Sequence, residues 1–160
     1  MKQLLSYGLL IAVSLLITAC FDDMTIRYDG PTQVEFESAV RTSPAVGRTY
    51  PLIASSNSLT NAPVLATQLN LVGPQRSSDL TVKVLVESPL TTASANSYTL
   101  LNGGNVVIPA NSSVGSLSIA VSRASSTTAP LGALVIVLDS TSTDFKPSQN
   151  YRRLGYSIRQ

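Results

Sequence analysis

The chain is 160 residues long, carries a formal net charge of +2, and contains 12% charged residues, one Cys, and neither His nor Trp. Without His, the commonest general base is missing, and Ser-His-Asp and Cys-His nucleophiles are excluded. The near-neutral charge without a basic stripe argues against a nucleic-acid partner, and the scattered acidic residues lead us to expect no enzyme, no metal and no cofactor.

The first twenty residues carry the parts of an export signal. Lys2 supplies a positive charge, residues 4–17 form an apolar run, and Thr18 and Ala19 are small residues ahead of the single Cys20. Two alternatives are an uncleaved membrane-spanning helix and a soluble buried helix. A helix that spans a membrane needs about 20 apolar residues. The run ends too early for that, because two aspartates follow Cys20 almost at once.

The segment LITAC, residues 16–20, resembles the lipobox of bacterial lipoproteins. The resemblance implies a signal peptide over residues 1–19, acylation of Cys20, and a tether over residues 20–30. It places the protein in the cell envelope, anchored to the outer membrane by acyl chains such as palmitate. Asp22 and Asp23 also resemble the acidic export signals of Bacteroidota surface lipoproteins, although a solvated linker explains them equally well.

Strands dominate the rest of the pattern. Apolar residues alternate with polar ones over residues 34–37, 80–87, 116–122 and 153–159, which predicts strands with one buried face. Further β-rich runs cover residues 50–54, 64–72, 105–109 and 134–139, with Gly, Pro and Asn between them. No amphipathic helix of convincing length follows residue 20. About eight closely spaced strands predict an all-β fold, a single antiparallel β-sandwich over residues 31–160.

Three details of that sandwich follow from the pattern. Residues 134–138 are apolar on both sides, so we expect a central strand covered on both faces. The C-terminal strand is expected at a sheet edge, where Arg152, Arg153 and Arg159 would discourage pairing with other chains. Glu35 and Glu37 are the adjacent candidates for a glycosidase-type carboxylate pair, but their alternation with apolar neighbours is typical of solvent-facing residues.

Three stretches carry a resemblance to a known domain family: LTVKVLVES (80–88), TTASANSYTL (91–100) and VVIPANSSVGSLSIAV (106–121). They resemble the core of Calx-beta-like, immunoglobulin-like sandwich domains, and residues 28–160 resemble small Bacteroidota lipoproteins built from such domains. Calx-beta domains of ion exchangers bind calcium through clustered carboxylates. Here Ser97 stands where those domains often have Asp, so we expect no metal, although Asp139 and Asp144 could still meet Asp79 or Glu87 across loops.

The same resemblance implies a non-catalytic binding role outside the cell, with a glycan or a surface protein as partner. Sugar sites draw on aromatic platforms, and Tyr50 and Tyr151 near strand ends are the candidates. Tyr156 is predicted in the core and Tyr98 as a corner tyrosine that caps a loop. A structural, adhesion or assembly role through protein–protein contacts is the alternative.

A candidate modification site lies near the predicted central strand. Asp139-Ser140-Thr141 resembles the short acceptor motif for O-linked glycans in exported Bacteroidota proteins. In a chain so rich in Ser and Thr, a chance match to this motif is about as frequent as a real acceptor site. The position after the strand is expected to be a surface loop, which favours Ser140 as the acceptor.

Overall fold

A computed structural model describes residues 30–160, so the predicted signal peptide and Cys20 lie outside the described residues. This part of the chain is almost entirely β-structure. Within it, no helix has the length and apolar character needed to cross a membrane. The elements are β1 (Gln33–Phe36), α1 (Glu37–Arg41), β2 (Leu52–Ala54), β3 (Val64–Val72), β4 (Leu80–Val86), β5 (Tyr98–Leu100), β6 (Asn105–Ile108), β7 (Val114–Val121), β8 (Leu131–Leu138), β9 (Lys146–Pro147) and β10 (Arg153–Arg159), with short 3-10 helices at Ser88–Leu90, Ala95–Ser97 and Leu101–Gly104.

The strands form two five-stranded sheets. The first sheet has the order β5-β7-β3-β1-β9, and the second has the order β2-β10-β8-β4-β6. Most neighbours are antiparallel, but β1 pairs with β9 and β2 with β10 in parallel. The expectation of a purely antiparallel sandwich is therefore corrected. The two parallel pairs have a common origin. The chain crosses from the first sheet to the second after β1, and it crosses the same way after β9, so β1 and β9 lie side by side and so do β2 and β10.

One apolar core fills the space between the two sheets. Alternate residues of β1, β3 and β7 face alternate residues of β4, β8 and β10, as the period-two pattern predicts. Val82 and Val84 are 0% and 1% exposed while Lys83 between them is half-buried, which confirms the predicted register of β4. Tyr156 is also in the core, as expected, at 5% exposure. Burial of such side chains contributes roughly 1.5–3 kcal/mol each.

The central strand β8 is covered on both faces, which confirms the prediction from its apolar run. Leu134 and Ile136 belong to the core, yet Val135 on the opposite face is fully buried too. Val135 pairs with Gly155 of β10. A Cβ at Gly155 would lie 3.0 Å from Cε2 of Tyr50 and 2.9 Å from Cδ1 of Leu52. The glycine thus leaves room for two side chains of the same domain to pack on the outer face.

The predicted edge position of the C-terminal strand is wrong. β10 lies between β8 and β2, and it pairs with β8 over all seven of its residues. The three arginines therefore guard no open edge. Arg153 binds Glu87, and Arg159 donates to the carbonyl oxygens of Thr127 and Ala129. The sequence could not reveal this arrangement, because the edge is occupied by β2, a strand of only three residues about a hundred positions away.

Candidate functional site

A groove of about 600 Å³ lies between the connection from α1 to β2 and the connection from β9 to β10. Its position is fixed by backbone hydrogen bonds of residues 148–152. Ser148 N donates to Val34 O at 2.8 Å, and Phe36 N donates to Tyr151 O at 3.1 Å. Leu138 N donates to Arg152 O at 3.0 Å, so the crossing segment is attached to both sheets. The groove is lined by Ala39, Pro44, Thr49, Pro51, Gln149, Asn150, Tyr151, Arg152 and Arg153.

The two tyrosines predicted as ligand contacts come to this side of the domain in different settings. Tyr151 lines the groove and is 36% exposed, so its ring is accessible. Tyr50 is half-buried and packs over Gly155, while its neighbours Thr49 and Pro51 line the groove. The structure thus gives Tyr151 an accessible ring in the groove, whereas Tyr50 packs behind the groove; their role as ligand contacts stays a prediction.

Three uncharged polar side chains accompany the tyrosine ring. Thr49, Gln149 and Asn150 are exposed and line the groove. Their side chains make no hydrogen bond to any other residue in 30–160. An amide and a hydroxyl can each donate and accept, which suits the hydroxyl groups of a polar ligand. A groove of this volume with a few convergent polar groups is typical of ligand sites.

Two adjacent arginines give the groove its charge. The guanidinium of Arg153 forms a fork on the carboxylate of Glu87, with Nε to Oε2 at 2.6 Å and Nη2 to Oε1 at 2.7 Å. These hydrogen bonds lower the pKa of Glu87 and raise the pKa of Arg153. Glu87 therefore neutralises Arg153, and no acidic residue is among those that line the groove.

Arg152 is the functional candidate that the sequence pattern missed. Its side chain forms no ion pair with the described residues, and its Nε is buried without a hydrogen-bond partner there. It directly precedes β10, and its side chain is half-buried at the groove. In the sequence, Arg152 was only one of three arginines, with Arg153 and Arg159, that we interpreted as protection of a sheet edge.

A second, smaller groove of about 350 Å³ lies at the other end of β2 and β10. Its one charged lining residue is Arg159, whose Nη1 already donates to two backbone carbonyl oxygens at 3.1 and 3.0 Å. The guanidinium is thus largely occupied within the fold. This groove is lined by Ser58, Leu59, Thr60, Ser126, Thr127 and Arg159.

The remaining predicted positions lie away from both grooves. Ser140 is exposed in the loop after β8, where Asp139 Oδ1 accepts from Thr141 N at 2.9 Å, and its modification stays a prediction. Within residues 30–160, no three carboxylates, His or Cys come together to hold a metal ion. The hydroxyl of Tyr98 makes no hydrogen bond to the described residues, because its half-buried ring packs against the core instead.

No family model and no curated protein matches the sequence. Solved structures from Bacteroides species share the fold. A two-domain protein of unknown function from Bacteroides fragilis matches with a TM-score of 0.53 and 9% identity over 81% of this chain and 45% of its own. EndoBT-3987 from Bacteroides thetaiotamicron, bound to a Man5GlcNAc product, matches with a TM-score of 0.52 and 11% identity. The match covers 79% of this chain and 30% of that one.

A third structure, provisionally described as a carbohydrate-binding protein from Bacteroides ovatus, matches with a TM-score of 0.51 and 10% identity over 80% of this chain and 37% of that one. The described chain thus spans less than half of each of these proteins. At such low identities the likeness shows the fold alone.

Proposed function

We propose that this chain is a lipid-anchored protein of the cell surface that binds glycans without transforming them, and that the groove beside Tyr151 is the binding site. The observation that carries the proposal is the accessible tyrosine ring beside the unpaired amides of Gln149 and Asn150. A ring of this kind offers a large, rigid contact for a sugar face. The two amides offer donors and acceptors for sugar hydroxyls.

The attachment of residues 148–152 to both sheets supports a preformed site. Backbone hydrogen bonds to Val34, Phe36 and Leu138 hold the segment at either end. A site held on strands needs less ordering when the ligand binds, and so less of the interaction energy is lost to conformational entropy. This favours binding at modest affinity even by a groove with a single aromatic residue.

The absence of a catalytic role is part of the proposal. None of the residues that line the groove is acidic, so the carboxylate pair of a glycosidase has no counterpart there. Glu35 has a pKa raised by partial burial, but it lies on the outer face of the first sheet, where Asn70 is its hydrogen-bonding neighbour. Glu37 forms an ion pair with Arg41 in α1.

The solved structures with the same fold support a glycan as the ligand class. One is provisionally described as carbohydrate-binding, and another holds a Man5GlcNAc product. The Bacteroides sources of all three fit a β-rich Bacteroidota protein. From the resemblance of residues 16–20 to a lipobox, we propose an outer-membrane lipoprotein of the cell envelope, acylated at Cys20 and accessory to glycan capture or uptake.

A glycan array tests the proposal. The full chain, purified in detergent micelles, should bind a subset of the oligosaccharides, and Tyr151→Ala should abolish binding because the ring contact is lost. Leu131→Ala is the matched control, since it also removes an exposed apolar side chain, 61% exposed at the start of β8, but outside the groove. An array with no binding, or equal binding by both variants, would contradict the proposal and favour the adhesion or assembly role.

A further inference from the structure

The charges around the groove are unbalanced in one direction. Two arginines and no acidic residue line it, and the nearby Glu87 is hydrogen-bonded to Arg153 and interacts with Arg152 only through its charge, without a hydrogen bond. Arg123, by comparison, is exposed to solvent and lies outside the groove. Arg152 has a buried Nε that forms no hydrogen bond with residues 30–160, so part of its guanidinium is neither solvated nor paired. Leaving such a donor unsatisfied costs free energy. The Nη groups of the same guanidinium are not among the buried unpaired atoms and form no hydrogen bond with residues 30–160, so they are the atoms that a ligand in the groove can reach.

From this arrangement we propose that the groove selects sugars that carry a carboxylate, and that Arg152 binds the carboxylate while Tyr151 contacts the sugar ring. The inference rests on the proposed function. A planar guanidinium matches the geometry of a carboxylate and can bind it through two parallel hydrogen bonds. Acidic sugars such as uronic and sialic acids combine this group with a ring face and hydroxyls, which are the three chemistries that the groove offers.

The neighbouring fork determines which arginine is available. Glu87 occupies Nε and Nη2 of Arg153, so a ligand carboxylate that approached Arg153 would have to displace the glutamate. Arg152 forms no such fork with the described residues, although the charge of Glu87 is near enough to act on it. The fork also holds Arg153, the next residue, at the start of β10, and this fixes the backbone from which Arg152 projects.

Isothermal titration of the full chain in detergent micelles tests the inference. The ligands are oligosaccharides with galacturonate, glucuronate, mannuronate or sialic acid units, each paired with its neutral counterpart. We expect at least one acidic member to bind about tenfold or more tightly than its neutral counterpart. The free energy of a hydrogen bond to a charged group corresponds to at least this ratio of affinities. This difference in affinity between the acidic and the neutral sugar should decrease as the salt concentration rises, because salt screens the attraction between the carboxylate and the arginine.

Two variants separate this inference from the proposed function. Arg152→Gln should bring the ratio of the acidic to the neutral affinity close to one, whereas Arg123→Gln should leave that ratio unchanged. Equal binding of acidic and neutral sugars, or a preference that survives in Arg152→Gln, would overturn the inference while the glycan-binding function stands. A sulfated sugar that binds where no carboxylate sugar does would also overturn it. Binding of no sugar would overturn both.

Discussion

The side chain of Asn57 pairs with the backbone of Arg159 in the way that a neighbouring strand would. Its Oδ1 accepts from Arg159 N at 3.0 Å, and its Nδ2 donates to Arg159 O at 2.7 Å. The same amide accepts from Ser55 Oγ and donates to Ser122 O, so all its hydrogen-bonding capacity is used at 8% exposure. One residue thus joins the ends of β10 and β7 to the loop after β2.

Replacing Asn57 with Ala should lower the free energy of unfolding by about 2–3 kcal/mol, because the part-buried N–H and C=O groups of Arg159 lose their partners. Urea unfolding of the full chain gives the value. Asn96→Ala is the control, since Asn96 is exposed and its side chain has no hydrogen bond to the described residues. A loss below about 0.5 kcal/mol for both variants would show that water replaces the amide.

Tyr156 and Thr67 form a hydrogen bond across the core, with 2.7 Å between their hydroxyl oxygens. Thr67 is 0% exposed, so removing either hydroxyl leaves the other buried and unpaired. We expect Tyr156→Phe and Thr67→Val each to cost about 1–2 kcal/mol. The double variant should cost less than the sum of the two, because it leaves no unpaired group. Additive losses in a double-mutant cycle of urea unfolding would contradict the coupling.

Acid should weaken the fold through the Glu87–Arg153 fork. The pKa of Glu87 in the folded state is lowered by its hydrogen bonds to Arg153. A carboxyl with a lowered folded pKa stabilises the fold above its unfolded pKa of about 4.3, and that stabilisation is lost as pH falls through the folded pKa. For a partly exposed pair we expect about 1 kcal/mol. Glu87→Gln should lack this part of the pH dependence in melts from pH 6 down to pH 2.

A charge in the core should prevent folding. Val84 is 1% exposed and faces the first sheet, so Val84→Asp would bury an ion without a partner at a cost of several kcal/mol. Thr81→Asp places the same side chain on the exposed face of the same strand and should change stability by about 0.5 kcal/mol or less. Circular dichroism and thermal melts compare the two. Equal stability would mean that the register of β4 is shifted by one residue.

Membrane anchoring should depend on Cys20. The lipobox resemblance predicts that Cys20→Ala releases the chain from the membrane fraction or leaves it as an unprocessed precursor. Cell fractionation and intact mass of the protein from its bacterial host measure this. A variant that keeps the mature mass and stays in the membrane would show that the lipobox interpretation is wrong.

The long strands were predictable because their side chains alternate in polarity. The run Val64–Val72 is β3 as predicted, and the doubly apolar run in β8 identified a central strand. The short strands β5 and β9 were missed, because two or three residues carry no measurable period. The parallel partners at the side of the sandwich depend on long-range crossings, which leave no local pattern.

The candidate groove was predictable only in part. Tyr151 was identified from its place near a strand end, and the structure puts it in the groove. Arg152 was not identified as a candidate from the sequence, because what distinguishes it is that the next arginine is hydrogen-bonded to Glu87 and it is not. Which of two adjacent guanidinium groups is paired is decided by a residue 66 positions away in the chain. Nothing in the sequence near Arg152 contains that information.

The interior position of β10 sets a condition on the order of assembly. Its neighbours β2 and β8 do not pair with each other, so β2 has no partner in the second sheet until residue 157 has been synthesised. Pairing across so many residues is slow to form, since the loop must close before its contacts are gained. The second sheet therefore cannot be completed before nearly the whole chain is available.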